Sequence, residues 1–304
     1  MKRTLLLSIA LAVIAPSLSG CRSAALAAAS DAVAQSGSTY ASDDDPELVR
    51  DAIPFGLKTM EGLLAENPRH EGLLAATASG FTQYGFAFVQ QPAELADLDG
   101  KLDEARAGRA RAKKLFLRAR DYGLRGLDVR HRGIAGRLRD GRGFEKALGR
   151  MRRRDVSLLY WTASSWTLAI VNGKDDMALV AELPVAIALM NRALALDEGW
   201  GAGAIHEFFL AYDATRTAAE GGGPELARAH LDRALALSSN KKLGPHVAWA
   251  EGVLVQRQDR AEFTRVLEEV LRADPGAEPR FRLANILAQR RAKALLDHAD
   301  DLFL

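Results

Sequence analysis

An all-α fold is predicted by three observations. Apolar residues recur at three- and four-residue spacing along most of the chain, no alternating run of strand length is present, and the breaks between periodic stretches carry breaker pairs such as Asn-Pro, Asn-Gly and Asp-Pro. With 304 residues, 48% of them hydrophobic, the chain can bury a sizeable core.

The first element, residues 1–20, reads as an export signal and not as part of the fold. Lys2 and Arg3 precede the apolar run TLLLSIALAVIA, followed by Pro16 and then Leu18-Ser19-Gly20-Cys21. The run is short for a bilayer span, which needs about 20 residues, and no second apolar run approaches one. Leu-Ser-Gly-Cys is similar to the lipobox of signal peptidase II substrates: a small residue precedes the cleaved bond, and a thiol follows it to receive a diacylglyceryl thioether. Cys21, the one cysteine of the chain, is therefore the expected lipid-attachment residue. The expected location is the periplasm, with the anchor in the outer membrane rather than the inner. Loss of Lys2 and Arg3 with the signal leaves 39 basic residues against 39 acidic ones, so charge offers no nucleic-acid partner. A lipidated Cys21 also leaves no thiol for a disulfide or a cysteine metal site.

Residues 21–45 are rich in Ala, Ser and Asp and read as a lipidated N-terminus and flexible tether, whose 24 residues after Cys21 reach at most about 80 Å. The helical body, residues 46–304, begins where Asp45 can cap and Pro46 can occupy a first helical position.

Helical stripes then follow in order. Val49, Ile53, Leu57, Met60 and Leu64 share one face, with Pro54 expected to kink or restart that helix. Leu74, Thr77, Phe81, Tyr84 and Phe88 form the next, with Gly72, Ala76 and Gly80 on a side open to close approach. Leu158, Thr162, Trp166 and Ile170 form a third, Leu183, Ile187, Met190 and Leu194 a fourth, and Phe263, Val266, Leu267, Val270 and Leu271 a fifth. Helix ends echo one another as LAEN at 64–67, LALD at 194–197, LALS at 235–238 and LRAD at 271–274. The last three are 41 and 36 residues apart, near the tetratricopeptide period of about 34. The expected architecture is therefore a degenerate tetratricopeptide-like set of helix-turn-helix repeats forming one compact right-handed helical array.

Several long stretches carry a family resemblance: YASDDDPELVRDAIPFGLKTMEGLLAENP at 40–68, FTQYGFAFV at 81–89, RAKKLFLRARDYGLRGL at 111–127, LLYWTASSW at 158–166, GAIHEFFLAYDA at 203–214 and RLANILAQRRAKALLDHADDLF at 282–303. Together they resemble the T-component lipoproteins of tripartite ATP-independent periplasmic (TRAP) transporters. The resemblance implies a periplasmic helical body that associates with the solute-binding protein, and a homo-oligomer, a trimer for example, with a cavity or channel in each subunit. It further implies a role in scaffolding or in passing small organic ligands toward the permease. The other function class the fold allows is a periplasmic tetratricopeptide scaffold for envelope assembly, which would bind extended peptides without a ligand cavity.

No motif points to catalysis, to a metal or to another cofactor. His206-Glu207 begins a zinc-type HExxH pattern, but residue 210 is Leu where the second ligand belongs. Gly221-Gly222-Gly223-Pro224 lacks the Lys-Ser/Thr ending of a phosphate loop and reads as a helix connection. Aromatics concentrate in three segments. Tyr84, Trp161, Trp166 and Tyr212, which carry polar tips, are with His206 the candidates for a ligand cavity. Residues 130–154 hold ten Arg or Lys against Asp140 and Glu145. Arg152, Arg153 and Arg154 in that segment are the candidate contacts to an acidic partner or to anionic lipid.

Overall fold

Asp45 starts the body as its sequence suggests: its carboxylate accepts the Leu48 backbone N–H at 2.9 Å, with Pro46 at the first helical position. A computed structural model describes residues 28, 30–34 and 37–303. The signal segment and Cys21 lie outside them. The short helix α1 (Gly37–Ala41) precedes α2 (Pro46–Glu66), α3 (Glu71–Gly85), α4 (Gln91–Leu98), α5 (Leu102–Arg130), α6 (Ile134–Asp140), α7 (Glu145–Gly149) and α8 (Val156–Val171). Then come α9 (Met177–Val180), α10 (Leu183–Leu196), α11 (Ala204–Ala214), α12 (Pro224–Leu237), α13 (Gly244–Trp249), α14 (Arg260–Arg272), α15 (Arg282–Asp297) and α16 (Ala299–Leu302). Among the described residues there is no strand, so the protein is all-α.

Short loops join consecutive helices, and consecutive helices pack on one another: α2 on α3, α11 on α12, α14 on α15. Each echo found in the sequence marks a real helix end, at α2, α10, α12 and α14. The 29-residue α5, about 43 Å long at 1.5 Å per residue, is the central element and packs against α3, α4 and α8. Its contact with α8 is close because Gly123 faces Thr162 and Gly126 faces Leu158. A Cβ at Gly126 would lie 2.5 Å from Leu158 Cδ2, so only glycine admits α8 at this distance. Gly80, from the predicted small-residue side of α3, likewise faces Leu57 of α2.

Of the kink or restart expected at Pro54, the restart does not occur, since α2 is one helix from Pro46 to Glu66. The proline removes the donor to the Arg50 carbonyl, and Arg50 is exposed, where water can replace it. Part of the expected tether is helical and seated: α1 packs on α15, and His70 pairs with Asp31 at 3.2 Å. Finally, Met177–Leu196 is long and apolar enough to cross a membrane by composition. It folds as two helices, and α10 buries Val185, Ala186, Leu189, Met190 and Ala193, packing on α8. The predicted stripe is one part of the packed surface: Met190 is buried and Leu183 and Leu194 pack partly buried against the core, while Val185, Ala186, Leu189 and Ala193 are buried beside them and Ile187 is half-buried.

Two large hydrophobic cores result, and they meet on α11, where Phe209 belongs to the first and Leu210 to the second. The C-terminal helix α15 returns to the start of the body. Arg290 binds the Glu47 carboxylate with both guanidinium nitrogens, Arg291 reaches Glu94 at 3.5 Å, and just beyond α15 His298 reaches Asp99 at 3.2 Å. The helical array therefore has two seams, one at α11 and one where α15 closes on α2 and α4.

Candidate functional site

A cavity opens at each seam. The one beside α15 is small, about 170 Å³, and is lined by Phe88, Leu95, Leu287 and the Arg50 and Arg290 side chains among others. The one beside α11 holds about 340 Å³ between α10, α11, α12 and the connection after α11. That volume falls in the lower part of the range of small-molecule pockets, about 300–1,000 Å³. Ile187, Leu194, Leu226 and Phe209 supply apolar surface, while Asn191, Tyr212, Asp213, Arg216 and His230 supply polar groups.

One wall is a face of α10, where Ile187, Asn191 and Leu194 recur at helical spacing and bring two apolar side chains and an amide to a lining that is otherwise largely polar. The floor is aromatic. Phe209 stacks on His230 with ring centroids 5.2 Å apart, and the Arg216 guanidinium lies 4.7 Å over the Tyr212 ring. The glycine-rich connection shapes the mouth. Gly221 is left-handed (φ +78°), and its carbonyl accepts from Arg216 at 3.3 Å, which holds the guanidinium at the rim.

Behind the cavity runs a chain of titratable groups. Arg233 binds Glu198 with two nitrogens and holds that carboxyl down to about 2. Glu198 Oε1 lies 3.2 Å from His206 Nε2, His206 Nδ1 lies 2.8 Å from His230 Nδ1, and His230 Nε2 lies 3.6 Å from Asp213. An ionised carboxylate can only accept, so His206 donates Nε2–H to Glu198 and offers a lone pair at Nδ1. His230 must then donate its Nδ1–H, which leaves its Nε2 lone pair facing Asp213. One proton more than two neutral imidazoles carry completes the chain. The environment suits such sharing: burial holds both histidines below their ordinary value, and burial raises the carboxyl of Asp213.

Of the five residues expected at a ligand cavity, the fold brings Tyr212 to the lining and His206 directly behind it through His230. Tyr84 and Trp166 are core residues instead. Tyr84 is buried on α3, and Trp166 is fully buried with its Nε1–H donating to Glu182 at 2.7 Å. Trp161 belongs to a separate aromatic group with Tyr160 and Trp200, at centroid distances of 4.9 and 6.1 Å. The residues missed by sequence reasoning were His230, Asp213 and Arg216. His230 sits on α12, 24 residues beyond His206, where no spacing rule links the two. Among the described residues no group of three or more His, Cys, Asp or Glu could hold a metal ion.

The sequence matches the signature of the TRAP transporter T-component over residues 42–303. The chain belongs to this family. An uncharacterized protein of Treponema pallidum (strain Nichols) is 30% identical over 267 residues, covering 87% of this chain and 82% of that protein. Membership associates the T-component with a TRAP transport system; the family is a transporter component and not an enzyme family.

Proposed function

We propose that this T-component is a periplasmic lipoprotein, held by lipid on Cys21 to the outer membrane, that binds the solute-binding protein of its TRAP system and assists uptake of a small organic solute. The α10–α12 cavity carries this reading. Its apolar wall and its Arg216, His230 and Tyr212 edge suit an organic molecule with one polar or acidic end. The lipobox tetrad ending in Cys21 supports the address. A homo-oligomer, for which a trimer is the number to test first, would place several such cavities at one membrane patch, where high effective concentration makes weak partner contacts sufficient.

The direct test is to titrate the chain from Cys21 onward with a panel of small organic carboxylates, following heat release, and to repeat with Arg216→Gln and Tyr212→Ala. A binding carboxylate should lose about tenfold or more in affinity in Arg216→Gln, the magnitude of one charged hydrogen bond. Co-purification should retain a solute-binding protein. Retention of envelope-assembly enzymes, with no carboxylate bound, would favour a peptide-binding scaffold instead.

A further inference from the structure

The basic segment between α5 and α8 is firmly mounted. Ile134, Leu138, Phe144, Leu148 and Met151 are buried and tie α6 and α7 to the first core. Their burial turns the intervening cations outward. Some of these cations are spent within the fold: Arg130 on Glu71 and Asp155, Arg139 on Asp121 and Arg153 on Asp197. That removes Arg153 from the residues first expected to face a partner, and Arg152 turns back to the Met151 carbonyl at 3.4 Å. Arg132, Arg137, Arg142, Lys146, Arg150 and Arg154 remain exposed, and none has an ion-pair partner among the described residues. Six exposed cations without an ion pair, against Asp140 and Glu145, make this segment strongly positive, and its buried residues fix it to one place on the first core.

The N-terminal segment is seated close to the basic one. Asp31 pairs with His70 at the start of α3, and Val33 packs against the small core of Leu64, Leu73 and Leu74, on which Val129 also packs. The neighbouring residues Glu71 and Arg130 bond to each other, so this seat adjoins the root of the basic segment. Asp31 lies ten positions beyond Cys21, a reach of at most about 35 Å. An anchor on that cysteine would hold the basic segment toward its membrane.

We infer that this face lies against anionic phospholipid head groups and sets the orientation of the protein on the bilayer. The inference shares with the proposed function the lipid on Cys21 as the device that brings the face to the membrane, but attraction between six unpaired cations and an anionic surface operates without it. A protein partner is the less suited occupant, because the seat of the tether points this segment to the lipid.

The experiment uses the chain from Cys21 onward, carrying Cys21→Ser and retaining every described helix, floated with vesicles of phosphatidylcholine alone or mixed with phosphatidylglycerol. Binding is expected only to the mixed vesicles and is expected to disappear at about 1 M salt. Arg132→Glu, Arg137→Glu and Arg142→Glu together should lower the bound fraction about tenfold or more. Lys114→Glu, Lys174→Glu and Arg257→Glu, a matched set of exposed cations elsewhere, should leave it unchanged. Equal melting temperatures of the two triple variants exclude misfolding as the cause. Equal vesicle binding by both sets, or no binding to either vesicle, overturns the inference. Loss of solute-binding-protein affinity in the first set without vesicle binding overturns it in favour of an acidic protein partner. The mass of the Cys21 peptide from cell membranes tests the anchor separately: unmodified Cys21 with positive flotation would remove the anchor and leave the surface standing.

Discussion

Nδ1 of His206 lies 2.8 Å from Nδ1 of His230, so a buried imidazole on α11 and a partly buried one on α12 share a single proton between them. Protonating His206 at Nδ1 puts two donors face to face, whereas the open site on His230 is Nε2, which faces Asp213. Burial lowers both histidines from the ordinary 6.5, and each gains stability for the fold only while neutral. The folded state then binds fewer protons than the unfolded chain just below pH 6.5, so stability falls as the pH drops from about 7 toward 5. Asp213 acts in the opposite sense. Its raised carboxyl favours the fold as the pH falls through that raised value toward 3.8. The double variant His206→Asn with His230→Asn should flatten the melting temperature between about pH 7 and 5, whereas Asp213→Asn should steepen the loss. A wild-type melting temperature independent of pH across that window would contradict the shared-proton arrangement.

The two histidines should also be energetically coupled. A double-mutant cycle with His206→Ala and His230→Ala should give an interaction energy of about 0.5–3 kcal/mol, as for residues in direct contact, measured by urea unfolding.

Trp166 is expected to behave as core. Trp166→Ala should cost about 3–5 kcal/mol, since a fully buried ring leaves a cavity that α5 and α10 cannot fill. Trp166→Phe should cost less. It forfeits the 2.7 Å bond to Glu182, but that carboxylate keeps Arg120 at 3.3 Å.

Two glycines separate packing from helix propensity. Gly123→Ala should destabilise by about 1–3 kcal/mol because its Cβ collides with Thr162 across the α5–α8 contact. Gly136→Ala on α6 meets nothing within 4 Å and should stabilise by up to about 1 kcal/mol. Melting temperatures of the two single variants should move in opposite directions.

Asp155 anchors the foot of the basic segment. It is fully buried and accepts the Arg152 backbone N–H at 2.8 Å and the Arg130 guanidinium at 3.0 Å. Burial pushes its carboxyl up, but these donors outweigh burial and hold it below the ordinary 3.8. Its contribution is therefore present above about pH 4 and is lost as the pH falls through the lowered value. Asp155→Ala should cost about 1–3 kcal/mol by leaving the Arg152 backbone N–H without its acceptor and Arg130 with Glu71 alone, and Asp155→Asn should remove part of the acid sensitivity seen by circular dichroism.

What could be read from the chain alone were its local properties. The all-α class, the start at Asp45-Pro46 and the helix ends at LAEN, LALD, LALS and LRAD follow from periodicity and capping, which act within a few residues. The stripe Val49 to Leu64 was legible because one face of α2 is buried and the other is not, and Leu158 to Ile170 was legible although α8 is buried almost all round. α10 was not, since apolar residues surround it and only its partner α8 decides that Leu189 and Ala193 go inward while Ile187 and Leu194 line a cavity. The aromatic candidates divide for the same reason: Tyr84, Trp166 and Tyr212 look alike in sequence, and neighbours decide which is core and which is lining. The His206–His230–Asp213 chain, likewise, joins groups on two helices whose juxtaposition depends on where the two cores meet along α11. Side-chain type and spacing belong to the sequence, but distance across the space between helices is set by packing, and only the tertiary structure supplies it.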